Sequence, residues 1–201
     1  LFRYEKFLAQ NYNYNISQKY HKLLKWSIAN PSNFWSSIWD FTKTKGKKNF
    51  KFKYSKNLIN SKFLIGSKLN FAENLLSKND NTKAITFISE NGYKEIRTWS
   101  QLNSTTSKII EFFKINKIKK NDRVAAYLAN TIEAVESFLA TASVGAIWSS
   151  CSPDFGINGV IERFSQIKPK LLIISDRYYY NGKEINVLER LPAILKKIKS
   201  I

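Results

Sequence analysis

The sequence predicts an α/β protein in which a segment of helices and aromatic residues and a β-hairpin precede the first part of a three-layer domain with a parallel sheet. Three apolar runs, 123–129, 146–149 and 170–174, lack the polar alternation of water-facing strands, as do parallel strands buried on both faces. Amphipathic helical patterns separate these runs and give the order β-α-β-α-β. The 201 residues are 43% hydrophobic and 14% aromatic, enough for a packed core.

The segment from Tyr20 to Phe41 has the pattern of two short helices. The first is expected to end before Pro31, because a residue that precedes proline avoids helical geometry. Ser32 is the expected cap of the second helix, on which Trp35 and Trp39 cluster toward one side. We expect so much indole surface to pack against another part of the protein.

Two β-type runs, 84–89 and 93–99, flank Asn91-Gly92, a dipeptide that favours a tight hairpin turn. Ser100 is the expected cap of the helix that follows. The apolar face of this helix consists of Leu102, Thr106, Ile109, Ile110 and Phe113.

Further helices are predicted between and after the three apolar runs. Thr131 is the expected cap of helix 132–143, and Lys168-Pro169 ends a second helix over 157–167. Apolar residues also recur at helical spacing over 188–201. Because ligands approach the carboxyl ends of parallel strands, we expect any site in the loops that follow the runs.

The net charge of +18 comes from 33 basic and 15 acidic residues. Half of it lies in the stretch 42–68, which contains nine lysines, no acidic residue, and the interleaved aromatic residues Phe50, Phe52, Tyr54 and Phe63. This pattern suits stacking and phosphate contact, so a basic module that binds single-stranded nucleic acid is one alternative function. We favour an irregular, solvated linker whose aromatic residues dock on the main domain, because no RNA-binding signature surrounds the stretch.

The composition excludes several kinds of site. One cysteine and one histidine rule out a disulfide framework and the usual zinc sites. GxGxxG, P-loop and GxSxG motifs are absent. Cys151 and the distant His21 could in principle form a thiol dyad, but we interpret Cys151 as a small buried residue and His21 as a packing or surface residue. There is no secretory signal and no apolar run of the roughly 18–20 residues that cross a bilayer. We expect a cytoplasmic, soluble and metal-free chain.

Both ends of the sequence are typical of a fragment. The sequence has no methionine, and the last helical pattern reaches Ile201 without a capping signal. We therefore predict an amino-terminal segment over residues 1–83, which includes the basic linker 42–68, and a partial domain over residues 84–201.

Several ordered motifs resemble the acetyl-CoA-synthetase-like branch of the AMP-forming acyl-adenylate ligases. The tryptophan-rich segment 20–41 and the run Gly66–Leu75 are similar to the amino-terminal segment of that branch. Asp122–Leu128 resembles the first strand of its AMP-binding, adenylate-forming domain. The motif Ala140–Gly156 is very similar to the acetoacetate-activating members of the branch.

The resemblance implies an acid–thiol ligase that converts ATP, acetoacetate and CoA to acetoacetyl-CoA, AMP and pyrophosphate, with Mg²⁺ in the full-length enzyme. The family's Ser/Thr/Gly-rich phosphate loop, its adenine site and its carboxy-terminal lysine are absent from this sequence. We therefore assign no catalytic residue here and expect the chain alone to be inactive. Two other interpretations stay open: a fragment of a ligase for another short acyl group, and a truncated gene product that folds only in part.

The same resemblance assigns one candidate site, for the nucleotide end of CoA. It comprises Ser152, Pro153 and Asp154 after the second strand, and Tyr180, Asn181, Gly182 and Lys183 in a turn after the third. A glycine turn lets backbone N–H groups approach a phosphate, and Lys183 would supply a point charge. Arginines common in the family are replaced by Tyr179, Tyr180 and Lys183, which predicts a weaker phosphate contact. A surface hairpin turn with an exposed lysine is the alternative.

Overall fold

The computed structural model describes residues 1–201, with the side chain of Leu58 left out. It comprises two compact units, Leu1–Asn70 and Phe71–Ile201. The first unit contains α1 (Phe2–Asn11), α2 (Tyr20–Ala29), α3 (Pro31–Phe41) and a 3₁₀ turn (Leu58–Asn60). The division predicted between residues 83 and 84 follows the segments of the family and stays a prediction.

The second unit begins with a short helix and continues with alternating strands and helices. Its strands are β1 (Lys83–Ile88), β2 (Lys94–Thr98), β3 (Arg123–Tyr127), β4 (Ile147–Cys151), β5 (Leu171–Ile174), β6 (Arg177–Tyr180) and β7 (Lys183–Asn186). Its helices are α4 (Phe71–Leu75), α5 (Trp99–Ile115), α6 (Ile132–Ser143), α7 (Ile157–Ile167) and α8 (Leu191–Lys197), with a 3₁₀ turn (Leu188–Arg190) before α8.

The predicted parallel sheet is confirmed. Strand β3 pairs in parallel with β4 on one side and β5 on the other, while β1–β2 and β6–β7 are antiparallel hairpins. Successive residues of β3 point to opposite faces: Val124 packs with Phe113 of α5, whereas Tyr127 packs with Phe164 of α7 and Ile194 of α8. Helices therefore cover both faces of the sheet, and this is the three-layer arrangement expected.

The start of α5 differs from the prediction. Thr98, and not Ser100, caps the helix: its Oγ1 accepts from the N–H of Gln101 at 3.2 Å, and Gln101 Oε1 accepts from the N–H of Thr98 at 2.9 Å. This reciprocal pair satisfies two N–H groups that the helix leaves free. Trp99 is consequently the first helical residue, and Ser100 lies inside the helix.

The predictions for α3 and for the last helix are also corrected. Helix α3 begins at Pro31 with Asn30 as its cap, so Ser32 is not the cap. A proline fits the first turn because the N–H it lacks has no partner there. For the same reason Pro192 fits the second position of α8, which begins at Leu191. The helical pattern predicted over 188–201 reduces to a 3₁₀ turn and a shorter α-helix.

Helix α1 was not predicted, because its buried side includes a charged residue. Glu5 is fully buried, and its carboxylate accepts from Tyr14 Oη at 2.9 Å, Ser17 Oγ at 3.1 Å and the N–H of Gln18 at 2.9 Å. Burial raises the pKa of Glu5, but these hydrogen bonds outweigh burial and hold the pKa below its usual value. The carboxylate thus joins α1 to the chain that follows it.

The basic stretch 42–68 contains backbone pairs at Lys47–Lys68 and Lys53–Lys62, and its other residues are mostly irregular. Its aromatic rings partly pack within the first unit: Phe63 lies edge-on to Trp35 and to Tyr54, with centroids 5.7 and 5.6 Å apart. The irregular backbone fits the linker interpretation, whereas these ring contacts lie within the first unit. Docking of the rings on the main domain and binding of nucleic acid stay predictions. Among the described residues, no helix combines the length and apolar character needed to cross a membrane.

Candidate functional site

The carboxyl ends of the three parallel strands meet at one edge of the sheet. Tyr127, the last residue of β3, is in register with Cys151 of β4 and Ile174 of β5. The loops that follow these strands therefore leave the sheet side by side, where ligands of parallel sheets bind. The loop after β4 contains the predicted residues Ser152, Pro153 and Asp154.

The loop after β4 is fixed by a buried tyrosine and an arginine. The hydroxyl of Tyr127, which is fully buried, lies 2.6 Å from the Phe155 carbonyl oxygen and 3.1 Å from that of Pro153. Arg190 donates through Nη1 to the Pro153 carbonyl at 2.6 Å and also to the Tyr127 hydroxyl. We call Tyr127 and Arg190 the loop clamp, because together they satisfy two carbonyl groups of the loop.

Asp154 connects the loop to the hairpin formed by β6 and β7. Its carboxylate accepts from Ser152 Oγ at 2.7 Å and from Tyr178 Oη at 2.9 Å. Burial, and then the hydrogen bond to Asp154, raise the pKa of Tyr178 to about 12. The phenol therefore stays protonated at neutral pH and keeps donating to Asp154.

The β6–β7 turn places Asn181 and Gly182 at φ angles of +50° and +71°, the conformation that a two-residue hairpin turn needs and that glycine adopts without strain. Tyr180 and Lys183 pair across it, and all four residues are exposed. The N–H groups of Asn181 and Gly182 donate to the Glu90 carboxylate, at 3.0 Å to Oε2 and 2.9 Å to Oε1. The N–H groups that we expected to bind a phosphate thus donate to the carboxylate of Glu90 in this structure.

A cavity of about 530 Å³ lies between the two hairpins and the carboxyl end of β3. It is lined by Phe87, Ser89, Glu90, Asn91, Tyr93, Ala129, Asn130, Thr131, Arg177, Tyr178 and Tyr179. The structure thus brings the predicted loop and the predicted hairpin into one neighbourhood through Tyr178 and Asp154. The contact of the turn itself is with the β1–β2 hairpin.

Four residues of this neighbourhood were not predicted: Glu90, Tyr127, Tyr178 and Arg190. The sequence shows Tyr127 only as part of a buried strand and Arg190 only within the last helical pattern. Their contact joins residues 63 positions apart, and the contact of Glu90 with Asn181 joins residues 91 positions apart. No local spacing pattern could have indicated either contact.

Cys151 is confirmed as a buried residue, 6% exposed, and burial raises the pKa of its thiol. A raised pKa disfavours the thiolate that a nucleophile needs. His21 lies exposed on α2 in the other unit. Nowhere in the described part of the chain do three or more His, Cys, Asp or Glu side chains gather in a way that could hold a metal ion.

A parallel sheet with helices on both faces and polar loops at its carboxyl edge is an architecture that many nucleotide-binding domains share. The chain belongs to the AMP-binding enzyme family, whose model matches residues 72–201.

Two relatives indicate which members of the family the chain resembles. The chain is 40% identical over 174 residues to the acetoacetyl-coenzyme A synthetase of Rhizobium meliloti, a match that covers 86% of this chain and 27% of that protein. It is 32% identical over 201 residues to the malonamoyl-CoA synthetase vrtB of Penicillium aethiopicum, covering 96% of this chain and 28% of that protein.

A solved structure agrees with these matches. The acetoacetyl-CoA synthetase from Streptomyces lividans superposes with a TM-score of 0.89 at 26% identity, covering 99% of this chain and 31% of that one. The chain thus spans less than a third of each relative and corresponds to the amino-terminal part of an adenylate-forming ligase.

Proposed function

We propose that this chain is the amino-terminal part of an acetoacetate–CoA ligase, which forms acetoacetyl-CoA, AMP and pyrophosphate from acetoacetate, CoA and ATP. The observation that carries the proposal is the 40% identity to an acetoacetyl-coenzyme A synthetase across 86% of the chain. The motif Trp148–Gly156 also supports it, because this motif is very similar to the acetoacetate-activating members of the family. It runs from β4 into the loop held by the clamp.

We propose that the contribution of this chain is to hold the nucleotide end of CoA. Ser152, Pro153 and Asp154 would offer a loop whose backbone is already fixed, so that binding orders little further chain. Tyr180, Asn181, Gly182 and Lys183 would offer two backbone N–H groups and one exposed ammonium for a phosphate. No residue of this chain is proposed to act on the reacting acyl group.

ATP and Mg²⁺ need groups that this chain does not offer. A triphosphate needs a donor-rich, cationic loop, and the sequence lacks the family's Ser/Thr/Gly-rich motif. Mg²⁺ in nucleotide sites is held by one or two carboxylates together with the phosphates of the substrate, so its place follows that of the triphosphate. We therefore assign both to parts of the ligase outside this chain and expect the chain alone to be inactive.

A ligase for another short acyl group is the second candidate. It is favoured by the 32% identity to a protein named malonamoyl-CoA synthetase, whose name indicates a different acid. The residues that would contact the acyl group are not assigned in this chain, so its sequence alone does not decide between the two acids. We keep a cytoplasmic location as a prediction.

An assay of the protein translated from the complete reading frame tests the proposal. With ATP, Mg²⁺ and CoA, we expect acetoacetate to give acetoacetyl-CoA and pyrophosphate with a kcat/KM at least about tenfold above those for acetate and malonamate, a preference of about 1.4 kcal/mol. The chain Leu1–Ile201 serves as the control and is expected to give no turnover. A preference for malonamate would show that malonamate, and not acetoacetate, is the acid that the enzyme activates. A lack of CoA-dependent turnover would contradict the proposal that the protein is a CoA ligase.

A further inference from the structure

The β6–β7 turn already holds an anion. Its N–H groups, from Asn181 and Gly182, donate to the two oxygens of one carboxylate, that of Glu90, at 3.0 and 2.9 Å. Adjacent N–H groups that converge in a turn form a concavity that binds anions. Apart from its own chain neighbours, no described atom lies within 4 Å of the position that a Cβ on Gly182 would take, so the space on that side of the turn is open.

The contacts that keep the Glu90 carboxylate at the turn are weak. Glu90 is exposed in the turn region of the β1–β2 hairpin, and none of the ion pairs among the described residues includes it. By contrast, the nearby carboxylate of Glu184 accepts from both Arg177 and Tyr179. The Glu90 carboxylate is therefore positioned by two water-accessible hydrogen bonds, which a stronger anion can replace.

We propose that Glu90 is an intramolecular competitor, whose carboxylate occupies the β6–β7 turn until a phosphate group of the CoA nucleotide displaces it. This inference rests on the proposed function, since it takes the turn to be part of the CoA site. A phosphate monoester carries a charge of about −1.5 to −2 and three acceptor oxygens, against −1 and two oxygens for Glu90. The adjacent ammonium of Lys183 favours the more highly charged anion.

Competition lowers the apparent affinity for the phosphate. The observed dissociation constant equals the intrinsic one divided by the fraction of molecules in which the turn is free. If Glu90 holds the turn for about nine tenths of the time, its removal tightens binding about tenfold. A residue that merely supported the hairpin would have the opposite effect, because its loss would weaken binding.

Calorimetric titration of the chain with adenosine 3′,5′-bisphosphate, a probe for the nucleotide end of CoA, distinguishes these effects. We expect Glu90→Gln and Glu90→Ala to bind the probe about tenfold more tightly than the unchanged chain. Glu111→Gln, which removes the same charge from an exposed site on α5, is the matched control and should leave the affinity within about twofold. Equal or weaker binding by both Glu90 variants would overturn the inference.

A second measurement separates this inference from the proposed function. If no variant binds the bisphosphate, the CoA site is wrong, and titration with inorganic phosphate, followed by amide NMR, then decides the role of Glu90. Shifts of the Asn181 and Gly182 amides at lower phosphate concentration in Glu90→Gln than in the unchanged chain would support competition. Identical responses, or none, would refute it, provided that the core amides of Val124 and Phe164 show that the variant is folded.

Discussion

Replacing Arg97 by alanine is expected to lower the free energy of unfolding by about 3 kcal/mol, the low end of the range for breaking a buried ion pair. Arg97 of β2 donates through Nε to Glu136 Oε1 at 3.1 Å, and Glu136 of α6 is 1% exposed. The substitution leaves this carboxylate in the interior without its guanidinium. We take the low end because the Arg97 side chain is 24% exposed, so water already screens part of the attraction.

The loss should depend on pH. Burial raises the pKa of Glu136, and Arg97 opposes this rise. A carboxyl whose pKa is higher in the folded than in the unfolded state contributes stability below the unfolded pKa, and this contribution is lost as the pH rises through the folded pKa. Without Arg97 the folded pKa rises further, so the destabilisation by Arg97→Ala should be larger at pH 8 than at pH 5.

Urea unfolding at these two pH values provides the measurement. The double variant Arg97→Ala/Glu136→Gln should recover part of the loss at pH 8, because an amide carries no charge to bury. Lys114→Ala, which removes an exposed pair with Glu111, should cost less than about 1 kcal/mol at either pH. A loss of equal size at both pH values, with no recovery in the double variant, would contradict this role of Arg97.

Replacing Tyr127 by phenylalanine is expected to lower the free energy of unfolding by about 1–3 kcal/mol, because it removes a buried hydroxyl together with its hydrogen bonds to two loop carbonyls and leaves Arg190 as their donor. The ring keeps its packing against Phe164, but the carbonyls of Pro153 and Phe155 lose the hydroxyl. The N–H of Phe155 donates within the loop to Ser152, so its hydrogen exchange reports on the loop. We expect this exchange to become faster in Tyr127→Phe.

Tyr178→Phe is the matched control for the loop clamp. It removes a hydroxyl that bonds only one exposed carboxylate, that of Asp154, and should cost less than about 1 kcal/mol. Because Tyr127 and Arg190 share the Pro153 carbonyl, Tyr127→Phe and Arg190→Met should be non-additive in a double-mutant cycle. Strictly additive losses, with Phe155 exchange unchanged, would show that the two residues do not act as a clamp.

The sheet could be predicted from the sequence because its signals are local. The strand β3 is a continuous apolar run, and Lys168, with a φ of +47°, ends α7 immediately before Pro169 as the sequence indicates. Helix α1 could not be predicted in this way, because the partners that make burial of Glu5 favourable lie beyond the helix, at residues 14–18. The cap of α5 was misassigned by two residues because Thr98 and Ser100 are both good caps, and only Thr98 has a glutamine three residues later.

For the candidate site, only the two chain segments could be predicted, and not the side-chain contacts that connect them. The turn at Asn181-Gly182 and the loop at Ser152–Asp154 were predicted from a family resemblance, and the structure supplies the link between them through Tyr178. The contact of Glu90 with the β6–β7 turn could not be predicted, because nothing in the sequence near residue 90 indicates a partner in a distant hairpin. Such contacts depend on how the elements pack and not on local spacing.

The central claim is that the loop after β4 and the β6–β7 turn hold the nucleotide end of CoA. The most direct test is amide NMR of the chain titrated with CoA and, separately, with dephospho-CoA, which lacks the 3′-phosphate. We predict that CoA shifts the amides of Ser152, Asp154 and residues 180–183, and that dephospho-CoA shifts those of Ser152 and Asp154 but only weakly those of residues 180–183. Shifts confined to the basic stretch 42–68, or the same shifts from both ligands at residues 180–183, would contradict the claim.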